Sequence, residues 1–120
     1  MSQREHNIQD EIRKEVSAKC PGVIFRTNAG KAYAGDKIYS VEYGQYILKN
    51  LRPYSGLPSG FPDLIYIGPD QTTIFIEVKT DKGRTSEAQE RFHAMLKRYG
   101  YRVCVARSAE DAVSFINREA

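Results

Sequence analysis

Two acidic residues and a lysine stand where they could share one task. Thr73-Ile74-Phe75-Ile76-Glu77-Val78-Lys79 reads as a strand, and side chains along a strand alternate between faces. Ile74, Ile76 and Val78 then point one way, and Phe75, Glu77 and Lys79 the other. A carboxylate beside an ammonium at the end of an apolar strand supplies what hydrolysis of a phosphodiester uses. The carboxylate is an oxygen ligand for a hard divalent cation. The amine orients or deprotonates the attacking water, or neutralises developing charge. The backbone carbonyl of Val78 lies between them as a further candidate ligand. One carboxylate holds Mg²⁺ poorly, and Asp63 offers a second. It follows Gly60-Phe61-Pro62, where the fixed φ of proline favours an extended entry into the next strand. If strands 63–67 and 74–79 pair across the Gly68-Pro69-Asp70-Gln71 turn, Asp63 falls near the end that carries Glu77.

Each of these residues also has an ordinary reading. Taken alone, Glu77 and Lys79 read as solvated charges on a sheet face, and Asp63 as a turn or strand-capping residue. The argument rests on the three together, with two further placements. With Ile8, Ile12 and Val16 on a helical wheel of roughly 100° per residue, Glu5 falls inside the apolar stripe. A carboxylate that faces a core needs a partner, and a metal would serve. A first-turn glutamate complementing the helix dipole is the alternative. Gln89 borders the stripe of Phe92 and Leu96 and can reach the end of the sheet, to bind a phosphate or water. Ser86-Glu87-Ala88-Gln89 is equally a capping box.

These residues need elements to carry them. Residues 5 to 19 read as a helix, ended by Pro21-Gly22. Val23-Ile24-Phe25 suits a buried strand, and Asn28-Ala29-Gly30 a turn. Residues 37–41 and 46–48 could pair as a hairpin around Glu42-Tyr43-Gly44-Gln45. The stretch beyond, with Pro53, Gly56, Pro58 and Gly60, reads as a loop. A helix follows from Ser86 to about Tyr99, with Gly100 as its C′ stop. Then come a strand from Arg102 to Ala106 and a last helix capped by Ser108 with Asp111 three residues on. This order predicts a mixed α/β layout, a central sheet covered by helices with one parallel crossover.

Composition permits this and narrows little. A chain of 120 residues, 41% hydrophobic and 28% charged, is the size of one compact domain with a real core. A net charge of +3 permits nucleic acid without demanding it. Cys20 and Cys104 stand apart, so neither a thiolate zinc site nor a disulfide framework is indicated. With no apolar leader or membrane span in view, the expectation is a cytoplasmic protein of a cell or a virus-infected host.

The chain resembles a known family. Gly60-Phe61-Pro62-Asp63-Leu64, Phe75-Ile76-Glu77-Val78-Lys79, Gly83-Arg84-Thr85-Ser86 with Gln89 and Phe92, and Val103-Cys104-Val105-Ala106-Arg107-Ser108 look like a virus-type replication-repair nuclease (VRR-NUC) domain of the PD-(D/E)xK nuclease superfamily. Glu5-x-x-Ile8-Gln9 and Phe25-Arg26-Thr27-Asn28-Ala29-Gly30 fit the same pattern. The resemblance covers nearly the whole chain, residues 31 to 59 only loosely. It implies one domain over residues 1–120 with a restriction-endonuclease-like α-β-β-β-α-β core, and 31–59 as an inserted hairpin and loop. It implies Mg²⁺ or Mn²⁺ held by Asp63, Glu77, the Val78 carbonyl and Glu5, with Lys79 catalytic and Gln89 in support. It further implies endonuclease action on branched DNA, by a homodimer, in DNA repair.

Lys82, Arg84 and Arg107 are the preferred candidates for DNA backbone contacts, and Lys31, Lys37, Lys49 and Arg52 are weaker ones. The tyrosines of 31–54 could stack on unpaired bases, although a strand face packed on its own core is the expected reading. His93 reads as a surface helix residue, and His6 has no assigned role. Two rival readings remain: a non-catalytic DNA-binding or assembly module that keeps the nuclease fold, and a sequence-specific restriction-like nuclease. An intact acidic pair with its lysine speaks against the first. The lack of an obvious helix for reading the major groove speaks against the second.

Overall fold

The computed structural model describes residues 2–28, 32–54 and 56–118. Helix α1 spans Gln3–Lys19 and strand β1 Val23–Arg26, followed by β2 (Ala32–Ser40), β3 (Gln45–Tyr54), β4 (Leu64–Ile67) and β5 (Thr73–Val78). Helix α2 (Glu87–Arg98), β6 (Arg102–Ala106) and α3 (Ala109–Asn117) complete the chain. Helix α1 starts two residues before the point periodicity suggested, because Ser2 caps it: the Ser2 hydroxyl accepts from the Glu5 amide at 3.1 Å. The turn expected at Asn28-Ala29-Gly30 lies mostly outside the described residues.

The sheet that carries the core has the order β1-β4-β5-β6. Strands β1, β4 and β5 run antiparallel in sequence, and β6 joins β5 in parallel through the α2 crossover. The alternation read in the β5 sequence sorts its side chains as expected. Ile74, Ile76 and Val78 pack with Leu64 and Tyr66 against Ile12 and Val16 of α1 and Ala112 of α3. Phe75 turns to the opposite face, where it meets Val103, Leu96 of α2, and Phe61 and Phe92. Helices therefore cover both faces of one mixed sheet, which is the predicted class. Cys20 and Cys104 are free and buried, and burial pushes the Cys104 thiol up to about 11, so it stays an unreactive core group.

Residues 31–59 depart from the expectation in two ways. The hairpin is real but longer, with strands through Ser40 and from Gln45 to Tyr54, so the part of the supposed loop that holds Pro53 is strand. A two-stranded ribbon tolerates Pro53 because half of its ladder positions face no neighbour. The register shifts between Ala34 and Asp36. Asn50, at φ +56°, absorbs the extra residue there. The second departure concerns packing. This pair forms its own two-stranded sheet, and its strands pack essentially against each other. The tyrosines of the segment lie at the surface, not on the core.

Candidate active site

The pairing of β4 with β5 sets Leu64 opposite Ile76 and Ile65 opposite Phe75. One residue beyond the paired end, Asp63 therefore faces Glu77 across the ladder. Both lie on the same side of the sheet as Ile65 and Phe75, beneath α2. Asp63 is moored on both flanks. Its carbonyl accepts from the Thr27 amide at 3.0 Å, and its Oδ2 accepts from the Val78 amide at 2.9 Å. The preceding loop is fixed as well: the Thr27 hydroxyl donates to the Pro62 carbonyl at 2.6 Å, and Pro62 is fully buried. Phe61 packs edge-on against Phe75, and its ring centroid lies 5.2 Å from that of Phe92. Gly60 makes this approach feasible. It adopts φ +83°, and a Cβ there would sit 2.3 Å from the Ala88 carbonyl oxygen in the first turn of α2.

Glu77 is 1% exposed, and α2 holds both of its carboxylate oxygens. Gln89 Nε2 donates to Oε2 at 3.2 Å, and His93 Nε2 lies 3.1 Å from Oε1. The capping reading of Gln89 holds, and its side chain reaches the sheet as well. Its Oε1 and backbone amide complete the capping box with Ser86, while its Nε2 reaches the sheet. His93 is the residue that sequence reading placed wrongly. It is buried, not on the surface, and a signal was available: positions 89, 93 and 96 follow i, i+4, i+7, so His93 lies on the stripe of Gln89 and Leu96. Burial lowers its pKa, as do Lys97 and Lys79, while Asp63 and Glu90 oppose. The ring is therefore neutral near pH 7 and donates its Nε2 proton to the Glu77 carboxylate.

The electrostatics set the two acids apart from surface carboxylates. Burial, then the hydrogen bond and charge of Glu77, push the Asp63 carboxyl up to about 7, against the opposing pull of the Val78 amide and Lys79. Burial raises Glu77 too; Asp63 and Lys79 counter this and the charge of Glu5 adds to it. Two like charges brought together inside a protein hold a proton or a cation between them. Lys79 is half-buried just past β5, with its amide on the Ala106 carbonyl at 3.0 Å, and its charge bears on Asp63, Glu77 and His93.

The donor set fits a small hard cation. Among the described residues no group of three or more His, Cys, Asp and Glu side chains is gathered to hold a metal. The side-chain ligands on offer are thus the Asp63 and Glu77 carboxylates, which suits an ion such as Mg²⁺ that keeps most of its water. Glu5 stands half-buried near enough for its charge to reach Glu77, but is not drawn into a third-carboxylate position. Val78 contributes its amide to Asp63.

The residues expected to contact DNA divide. Lys82 and Arg84 are exposed in the loop between β5 and α2. Arg107 is committed to that same loop: its Nη1 donates to the carbonyls of Thr80 and Gly83, each at 2.6 Å. It therefore shapes the loop that displays Lys82 and Arg84. Lys37, Lys49 and Arg52 lie on the separate hairpin, and Lys31 lies outside the described residues.

A mixed sheet sandwiched by helices, with an acid pair and a lysine at adjoining strand ends, is the architecture of a nuclease-type α/β domain. The chain matches the VRR-NUC domain family over residues 2–110 and belongs to that family, a nuclease-fold family generally made up of DNA nucleases. A solved structure described as a VRR-NUC domain superposes with a TM-score of 0.60 at 21% identity, covering 99% of this chain and 100% of that one. A second, described as a VRR-NUC domain protein, is 31% identical over 51% of this chain and 52% of that one, with a TM-score of 0.43. No curated protein sequence matches the chain. No helix among the described residues is long and apolar enough to cross a membrane.

Proposed function

We propose that the chain is a divalent-metal-dependent DNA endonuclease, selective for branched or junction DNA. The observation that carries this reading is the pairing of half-buried Asp63 with buried Glu77, on one face of the sheet, with the charge of Lys79 upon both. Asp63, Glu77 and the Val78 carbonyl would hold Mg²⁺ or Mn²⁺. The bound ion would lower the pKa of a water and screen the charge of the phosphate. The chain's own residues do the positioning. The Val78 amide fixes Asp63, and Gln89 with His93 fixes the plane of the Glu77 carboxylate. Lys79 orients the attacking water and stabilises negative charge developing on the phosphate. Lys82 and Arg84 supply backbone contacts to the DNA beside the scissile bond.

The test is cleavage of linear, nicked, flapped and four-way DNA with Mg²⁺, Mn²⁺ or EDTA. The expected result is metal-dependent cleavage with a preference for branched substrates, lost in Glu77→Gln and Lys79→Ala with melting temperatures close to the parent. DNA binding without cleavage in any metal would replace this reading with a non-catalytic module. Equal cleavage of linear and branched DNA would keep the nuclease and remove the structural selectivity.

A further inference from the structure

We infer that the β2–β3 hairpin is an arm that stacks on unpaired bases, so that a branched substrate is engaged through its single-stranded segment. The tyrosines carry the argument. Five of the chain's eight, Tyr33, Tyr39, Tyr43, Tyr46 and Tyr54, lie on this one hairpin, and each is between 56% and 65% exposed. Cross-strand register sorts them. Tyr39 stands opposite Tyr46 and Tyr33 opposite Pro53, on the face shared with Lys37. Tyr39 packs edge-on with Tyr46 at 5.3 Å, and the Lys37 ammonium lies over the Tyr46 ring at 4.5 Å. Both rings of that pair stay more than half exposed, so each retains surface for a planar ligand. A tyrosine ring stacks on any base, whatever its identity. Duplex DNA hides the faces of its bases and shows only their edges in the grooves. This surface therefore fits a strand that is not paired.

The position of the arm says which strand it would hold. The chain leaves the body for the arm at Thr27, whose amide donates to the Asp63 carbonyl at 3.0 Å and whose hydroxyl donates to the Pro62 carbonyl at 2.6 Å. It returns through Phe61 and Pro62 into Asp63 itself. Both roots of the arm therefore meet beside the acid pair. Strands of nine and ten residues are roughly 30 Å long, and the molecule measures 56 × 31 × 31 Å, so the arm stands off the body. A strand held along it is led toward Asp63 and Glu77, which is a reason for nucleic acid as the occupant and not for a protein. Charge agrees. The arm's cations are Lys37, Lys49 and Arg52, and Arg26 is exposed at its root. Of its two acids, Asp36 is bonded by Asn50 and Arg52, and Glu42 lies in the turn at the tip. Aromatic rings interleaved with a few cations form a stacking platform for a single strand.

The inference deepens the nuclease reading and takes its ligand class from it. Its test is read in EDTA, where no metal-dependent cleavage occurs, so the two fail separately. The full chain is titrated against a labelled single-stranded oligodeoxythymidine, a blunt duplex and a duplex with a single-stranded flap, with fluorescence anisotropy as the readout. The parent is expected to bind the single strand and the flapped duplex more tightly than the blunt one. Tyr39→Ala combined with Tyr46→Ala should raise the dissociation constant for the single strand by about tenfold or more, and leave that for the blunt duplex nearly unchanged. Tyr39→Phe with Tyr46→Phe keeps both rings and should bind like the parent. So should Tyr99→Ala, at a tyrosine off the arm that is 68% exposed. Circular dichroism and melting temperature confirm that each variant folds. A parent with no preference for unpaired DNA would overturn the inference. An alanine pair that binds the single strand like the parent, or a phenylalanine pair that binds it as weakly as the alanine pair, does so too. An alanine pair that sediments differently from the parent assigns the tyrosine face to a protein contact, and the inference is lost.

Discussion

His93 and Glu77 show how one side chain can decide what a neighbouring carboxylate is able to do. A carboxylate that ligates a cation works best when its outer lone pairs are already occupied, and losing such a support typically costs roughly 10–100-fold in metal affinity or activity. His93→Ala should therefore weaken Mn²⁺ binding by about that factor in a calorimetric titration, and His93→Gln should recover part of it by restoring an N–H near Oε1. A purely structural histidine would instead lower the melting temperature and leave the affinity of the folded fraction unchanged. The acid pair makes a second prediction, with a definite sign. The Asp63 carboxyl stands raised, at about 7, above its unfolded value, so folding favours its protonated form. The stability it contributes is complete below the unfolded carboxylate range near pH 4 and is lost as pH rises through about 7. Metal-free protein should melt at a lower temperature at pH 8 than at pH 5.5, by an amount worth about 2 kcal/mol of stability. Asp63→Asn should flatten that slope, and saturating Mg²⁺ should flatten it by supplying the missing positive charge. A slope unchanged by both would mean that the two carboxylates are not coupled.

At the scale of elements, the site is placed by contacts between a loop and a helix, and only part of this is legible in the sequence. The alternation from Ile74 to Val78 and the short turn after Ile67 sufficed to pair β4 with β5 and bring Asp63 to Glu77, because strand periodicity and a tight connection leave few alternatives. The capping box gave the start of α2, since Ser86 and Gln89 act within one turn. The burial of His93 is legible in its i, i+4, i+7 spacing with Gln89 and Leu96, whereas the commitment of Arg107 to the carbonyls of Thr80 and Gly83 depends on how separate elements cross, and no local pattern in the chain encodes that crossing. The hairpin runs longer than its sequence suggests for a related reason: Pro53 and the nearby glycines signal a loop wherever a strand needs two neighbours, and this ribbon has one. Gly60 tests the loop–helix contact directly. In Gly60→Ala the new methyl would collide with backbone at 2.3 Å, from a φ of +83°. Backbone strain of this kind costs about 1–3 kcal/mol, and a displacement near 1 Å at the chemistry can cost about 100-fold in rate. The variant should thus lower kcat by far more than its melting shift alone explains, with Asp63 moved off Glu77. A variant with parental kcat and a lowered melting temperature would show that the loop's contact with α2 serves stability alone.

At the scale of the whole molecule, stability is divided unevenly between two sheets. Strands β5 and β6 lie between helices on both faces, and Leu64, Ile74, Ile76 and Val78 are fully buried, so their amides exchange only when most of the core opens. Among the described residues, β2 and β3 pack essentially against each other, and a two-stranded ribbon opens at little cost. Its hydrogen exchange therefore reports on whatever covers it. Without a covering partner, the amides of β2 and β3 should exchange nearly as fast as those of an isolated hairpin while those of β5 exchange slowly. The comparison separates two architectures that look alike in a single chain. If β2 and β3 exchange as slowly as β5, something covers the exposed tyrosine face in solution. If protection falls in both sheets together, the arm and the body form one cooperative unit after all, and the packing of β2 and β3 against each other understates how strongly the hairpin is coupled to the site-bearing sheet.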